Sequence, residues 1–237
     1  MYIVILSVVW SVIATLLNFA VLNIYGIVTV FMFLISILGS IAIFNLAGMK
    51  TDFKEHHGIF NYVIFTVIGL TAIFISAIIF TFFYSGGQSF CLLWKPFSSN
   101  FQVSEQLNPQ FANIYLRFQG LSQTLNLNSE TLYNVISSWL LVSPGEELVF
   151  NGILLYLFAR LTRSPWTGGL ISRGIWASIH SIVAYQGPEA VMYILTAYIG
   201  GFILLYFMVL TKDITVPIFI HGAYDCIVVL MQGLNII

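Results

Sequence analysis

An all-α, polytopic bundle of about seven transmembrane helices is what this sequence predicts, on three observations. Of 237 residues, 59% are hydrophobic and 7% charged, whereas a soluble domain carries roughly 25% charged residues. The apolar runs are long enough to cross a bilayer, which takes roughly 20 residues of helix. They also lack the two-residue alternation of a membrane barrel, and in lipid only helices or closed barrels satisfy every backbone group. This composition excludes a soluble globule and a disordered chain. With a net charge of −1, Lys and Arg are too sparse to track a phosphate backbone, so no nucleic-acid partner is expected. Two cysteines far apart, Cys91 and Cys226, make neither a disulfide framework nor a zinc knuckle.

Polar punctuation places the spans at about 2–22, 26–49, 60–84, 131–161, 168–186, 189–211 and 214–235. The first run has no basic residues before it, which predicts a retained span and not a cleaved signal peptide. Only Asn18, Asn23 and Gly26 divide it from the second. A long connection, about 85–130, follows the third span. There Asn108-Pro109 reads as an N-cap with proline at N1. Phe111, Ile114, Tyr115, Phe118 and Leu121 then recur at helical spacing, predicting an interfacial amphipathic helix or a helix packed over the bundle mouth. The fourth run contains Ser143-Pro144-Gly145; proline removes a backbone donor and glycine loosens the helix, so a kink is expected. With no internal repeat, residues 1–237 read as one membrane domain, in which 1–129 carries no motif and 130–237 carries the chemistry. Lys50, Lys54, Arg160, Arg163 and Lys212 would share one side, against Lys95 and Arg117 on the other. The excess predicts a cytoplasmic N-terminus.

Ionisable side chains inside a span are expensive, so each is a functional candidate. Glu146 and Glu147 lie near the middle of the fourth run, His180 about twelve residues into the fifth, and His221 and Asp225 in the seventh. At 1.5 Å rise per residue these three helices bring acids and imidazoles toward one level of the bilayer. Adjacent Glu146 and Glu147 point about 100° apart on a helix, so one can face a central site while the other makes a supporting ion pair. Trp176 and His180 share a helix face, as do His221 and Asp225, each pair being four apart. Either pair alone would read as local packing; five costly groups on three helices read better as a site.

These residues also carry a resemblance. E-E-L-V-F-N-G at 146–152 resembles the E-E-x-x-x-R motif of the CAAX-protease and bacteriocin-processing family of membrane proteases, also called Abi. W-A-S-I-H at 176–180 is similar to its second motif and H-G-A-Y-D at 221–225 to its third, in the same order. The resemblance implies an intramembrane endopeptidase acting on a membrane-associated peptide or protein tail. Glu146 would be the general base, with His180 holding the water. His221 and Asp225 would serve the oxyanion, and Glu147 would support them or act as a second base. It equally allows a zinc version with Glu146, His180 and His221 as ligands. Bacterial relatives of this kind look like bacteriocin-maturation or immunity factors; the chain's small size and short loops look bacterial, so a bacterial cell membrane is the expected location.

One departure stands out. Asn151 occupies the place of the motif arginine and brings no charge to the neighbouring carboxylate. Arg173, seven residues before His180, could substitute; the preferred reading has it snorkelling to the cytoplasmic surface. The missing arginine favours a competing expectation, a non-catalytic immunity or interaction protein. A third expectation is an ion- or proton-coupled transporter, which would also place acids and imidazoles at mid-membrane.

Overall fold

The computed structural model describes residues 2–20, 27–46, 57–85, 134–184 and 189–233. They form seven helices and no strand, the all-helical bundle the composition predicts. The helices are α1 (Tyr2–Ala20), α2 (Ile27–Leu46), α3 (Ile59–Ser85), α4 (Asn134–Thr162), α5 (Pro165–Ala184), α6 (Glu189–Thr211) and α7 (Thr215–Gly233). Among the described residues, Ile59–Ser76, Asn134–Thr162 and Ile194–Thr211 are long and apolar enough to cross a membrane. Val4–Leu17, Phe31–Leu46 and Thr215–Met231 are shorter apolar helices. The amphipathic helix expected at 108–121 lies outside the described residues. So do Cys91, the residues dividing the first two spans from Val21 to Gly26, and four of the basic residues used for orientation.

The helices end where local chemistry ends them. Ser164 caps α5, its hydroxyl accepting the Thr167 N–H at 3.2 Å, and Pro165 opens the helix with a ring that fits the first turn. The fifth helix therefore begins at 165 and not at the expected 168. Arg163, at φ 57°, turns the chain out of α4 in the left-handed region. Gly168 is needed beside this turn, because a Cβ there would run into the backbone of Ala159. Asp213 caps α7 by accepting the Thr215 N–H at 2.9 Å. Its other oxygen accepts the Tyr62 hydroxyl at 2.5 Å, tying α3 to the α6–α7 connection.

α4 is the axis of the molecule. Of its span 72% is buried, against 33% for the α6 span and 11% for the α3 span. α1 and α2 cover one flank of α4 through Ala14, Ile43 and Phe44 against Val149, Phe150 and Ile153. Leu155 meets Leu205 and Met208 of α6, while α3, α6 and α7 pack together around Ile73, Phe207 and Ile220. The outer faces of α1 to α3 present Val8, Ile13, Leu38 and Val67, the apolar exterior that lipid requires.

The expected interruption of α4 takes a specific form. Ser138–Val142 and Leu148–Leu154 are wide π-type turns on either side of a short α-helical turn, Ser143–Glu147. Pro144 has no N–H to give to residue 140, and the preceding Ser143 N–H bonds the Ser138 carbonyl one residue further back. Such turns recur at functional sites. Here they flank the two glutamates.

Candidate active site

The five residues singled out in the sequence are brought together by α4, α5 and α7. Glu146, Glu147, His221 and Asp225 are buried, and the His180 side chain is 13% exposed. Adjacent on α4, the two glutamates diverge into different company, as their helical spacing requires.

Glu146 faces the imidazoles. Its Oε2 lies 3.8 Å from His180 Nε2 and 3.9 Å from His221 Nε2. The same oxygen accepts the indole N–H of Trp176 at 2.7 Å, which fixes the carboxylate between the rings. Trp176 also stacks obliquely on His180, centroids 4.3 Å apart, and meets His221 edge-on at 5.8 Å. Both ring orientations are set from behind. His180 Nδ1 lies 2.9 Å from the Trp176 carbonyl. A carbonyl only accepts, so Nδ1 carries the proton and Nε2 of the neutral ring is the acceptor turned toward Glu146. His221 Nδ1 lies 2.9 Å from Glu147 Oε1 and donates to it in the same way. Asp225 Oδ2 stands 3.5 Å from His221 Nε2, while its Oδ1 is buried with no hydrogen-bond partner among the described residues.

Glu147 is the anchor of a second network. Its Oε2 accepts the Asn151 amide at 2.7 Å and is ion-paired to the Arg173 guanidinium. Arg173 Nε donates in turn to Asn151 Oδ1 at 3.1 Å. Arg173 is 0% exposed. The snorkelling expectation is therefore corrected: a carboxylate within reach across the α4–α5 contact holds the guanidinium inside, where water at the surface would otherwise draw it out. The charge that position 151 lacks reaches the same carboxylate from the next helix. In the sequence Trp176 is a face-mate of His180 and the aromatic that opens the second motif; its bond to Glu146 is set by the meeting of α4 and α5. The signal available for Arg173 was its place amid an apolar span, the criterion already applied to the acids.

The donors nominated for zinc, Glu146, His180 and His221, do not fit a metal as placed. Among the described residues no group of three or more His, Cys, Asp or Glu is arranged to hold an ion. What the site does offer is a carboxylate oxygen facing two oriented imidazole nitrogens, at separations too long for direct hydrogen bonds and suited to a small polar molecule between them.

No curated protein and no solved structure matches the chain. The family model described as type II CAAX prenyl endopeptidase Rce1-like matches residues 128–227, the stretch that holds every member of both networks. The match takes in the three ordered motifs at 146–152, 176–180 and 221–225, so this region is similar to the type II CAAX prenyl endopeptidases.

Proposed function

We propose that the chain is an intramembrane endopeptidase that hydrolyses a peptide bond of a membrane-associated peptide or protein tail with a water activated by Glu146. The observation that carries the reading is the convergence of Glu146 Oε2 with His180 Nε2 and His221 Nε2 at 3.8 and 3.9 Å. A water between them can donate one proton to the Glu146 carboxylate and one hydrogen bond to His180 Nε2, which aims an oxygen lone pair away from both. As that oxygen attacks the scissile carbonyl, Glu146 takes the water proton. The carbonyl becomes an oxyanion on the side of His221 and Asp225, where a protonated imidazole or carboxyl donates to it. Glu146 then returns its proton to the leaving nitrogen as the C–N bond breaks, so the carboxylate is regenerated. Glu147 touches no reacting atom in this scheme; it holds the His221 ring.

The family description supplies the first substrate to test, a prenylated peptide with a C-terminal CAAX sequence. Asn151 is the main argument for the alternative, a non-catalytic relative; the pairing of Arg173 with Glu147 supports the catalytic reading against it. Purified protein in lipid nanodiscs should cleave a farnesylated CAAX peptide. Glu146→Gln should lower the rate by about 10²- to 10⁴-fold, the range for a positioned base, while the protein still accumulates in the membrane. If the farnesylated peptide is inert, membrane peptides from cells carrying wild-type and Glu146→Gln protein should still differ. Identical peptide pools together with an unaffected biological activity would sink the protease reading. Strong chelators should leave cleavage unchanged; loss on chelation and recovery with zinc would replace the metal-free scheme.

A further inference from the structure

A guanidinium in the apolar interior of a membrane protein is costly unless it is paired. Arg173 is wholly buried on α5, so its position needs a physical reason. Its contacts supply one. Nη2 pairs with Glu147 Oε2, Nε donates to Asn151 Oδ1, and the Asn151 amide donates to the same Glu147 oxygen. The Asn151 amide accepts from Arg173 and donates to Glu147 at once; an ionised aspartate at 151 could not donate, and an alanine could do neither. Two donors thus occupy one Glu147 oxygen, which leaves the other to face His221 Nδ1 at 2.9 Å.

The surroundings are built for this reach. Gly201 of α6 leaves room for the arginine stem: a Cβ there would stand 3.1 Å from Arg173 Cδ and 3.2 Å from the Trp176 ring. The guanidinium carbon lies 5.2 Å from the Trp176 ring centroid, within cation–π range. The neighbouring Ser172 hydroxyl bonds the Phe150 carbonyl at 2.6 Å, which sets α5 against α4 beside the network.

We infer that Arg173 and Asn151 form a two-helix positioning device, a guanidinium on α5 relayed through an amide on α4, that pins Glu147 and through it the ring of His221. The inference rests on the catalytic reading of Glu146, His180 and His221. It also says that the charge is transferable. Asn151 lies four residues beyond Glu147 on the same helix, so an arginine there could reach the same carboxylate with no help from α5.

The test is a relocation. Arg173→Asn should cut cleavage of the farnesylated peptide on the order of a hundredfold, since one partner of a buried pair is gone. It should also remove the native Nδ1–H signature of His221 in ¹⁵N NMR. Asn151→Arg alone should also lose activity, because two guanidiniums then face one carboxylate. The double variant Asn151→Arg/Arg173→Asn should recover the His221 signature, the melting temperature and most of the activity. If Arg173→Asn does not accumulate, the swapped protein decides alone. A swapped protein without the native His221 signature overturns the inference, as does an Arg173→Asn protein whose signature is unchanged. The NMR and thermal readouts do not depend on cleavage. Were Glu146→Gln still to cleave, the catalytic scheme would fall while the positioning of His221 would be judged separately.

Discussion

α1 and α2 on one side, and α4, α5 and α7 on the other, solve the same packing problem in opposite ways. Residues 2–46 contain no Asp, Glu, Lys, Arg or His. Their contact is made by small residues: Ser7, Ser11, Ser36 and Ser40 are buried, Gly39 sits under the Trp10 ring, and the Trp10 indole donates to Ser40 at 3.0 Å. Shape does most of this, as is usual where lipid supplies no hydrophobic drive between helices. The other three helices carry Glu146, Glu147, Arg173, His180, His221 and Asp225 into the interior. No smooth packing requires that. Such groups persist where they pair with one another, as Glu147 pairs with Arg173 and faces His221, so the clustered half should respond to single changes far more sharply than the shape-packed half.

The largest expected effect follows from stranding the buried cation. Glu147→Leu leaves Arg173 without its carboxylate and should destabilise the protein by about 3–5 kcal/mol, read as a fall in melting temperature and membrane abundance. Glu147→Leu/Arg173→Met, which removes both charges, should recover much of that stability, because an apolar pair of similar volume often replaces a buried ion pair at little cost. It should not recover activity, since His221 has lost its acceptor. A harmless single variant would mean that Arg173 finds water or lipid headgroups, and the contrast between the two halves would weaken.

A smaller effect isolates the catalytic carboxylate from the framework. Trp176→Phe keeps an aromatic ring against His180 and His221 but deletes the 2.7 Å donor to Glu146. The lost donor costs about 1.5–3 kcal/mol of stability, and kcat/KM should fall well beyond what the lower melting temperature accounts for, because Glu146 is no longer held between the rings. Equal losses in both would assign Trp176 to packing alone.

How much of this could be read in advance depended on the kind of signal. Span positions were legible because apolar run length is a one-dimensional property. α5 starts at Pro165, a few residues ahead of the apolar run at about 168, because Ser164 and Pro165 supply a cap and a first turn before that run begins. The acids and imidazoles were legible as expensive residues in costly places, and helix rise alone put them at similar depth. The π-type turns of α4 were not, since proline announces an interruption without saying which carbonyl the displaced donors will choose. Arg173 was misjudged for a related reason. Its sequence distance from Glu147 is 26 residues, and nothing along the chain states that two helices meet at that register. Reading residue 151 as a missing charge treated the motif as a property of one helix, whereas the carboxylate responds to whatever cation is nearest in space.

The weakest expected effects lie in the shape-packed half, and their order tests whether shape governs there. A Cβ at Gly39 would collide with the Trp10 ring, so Gly39→Ala must displace a large side chain or part the helices. Overpacking of this kind costs about 1–3 kcal/mol. Ser40→Ala removes only the acceptor of the Trp10 indole, and hydrogen bonds between membrane helices average about 0.6 kcal/mol. Gly39→Ala should therefore lower the melting temperature more than Ser40→Ala, and Ser40→Ala should leave cleavage unchanged, whereas Gly39→Ala displaces Trp10, which packs against the core around Val149, Phe150 and Trp176. If Ser40→Ala proved the more damaging of the two, the α1–α2 contact would depend on its single polar link. The supposed opposition between a half held by shape and a half held by charge would then reduce to a difference in how many hydrogen bonds each contains.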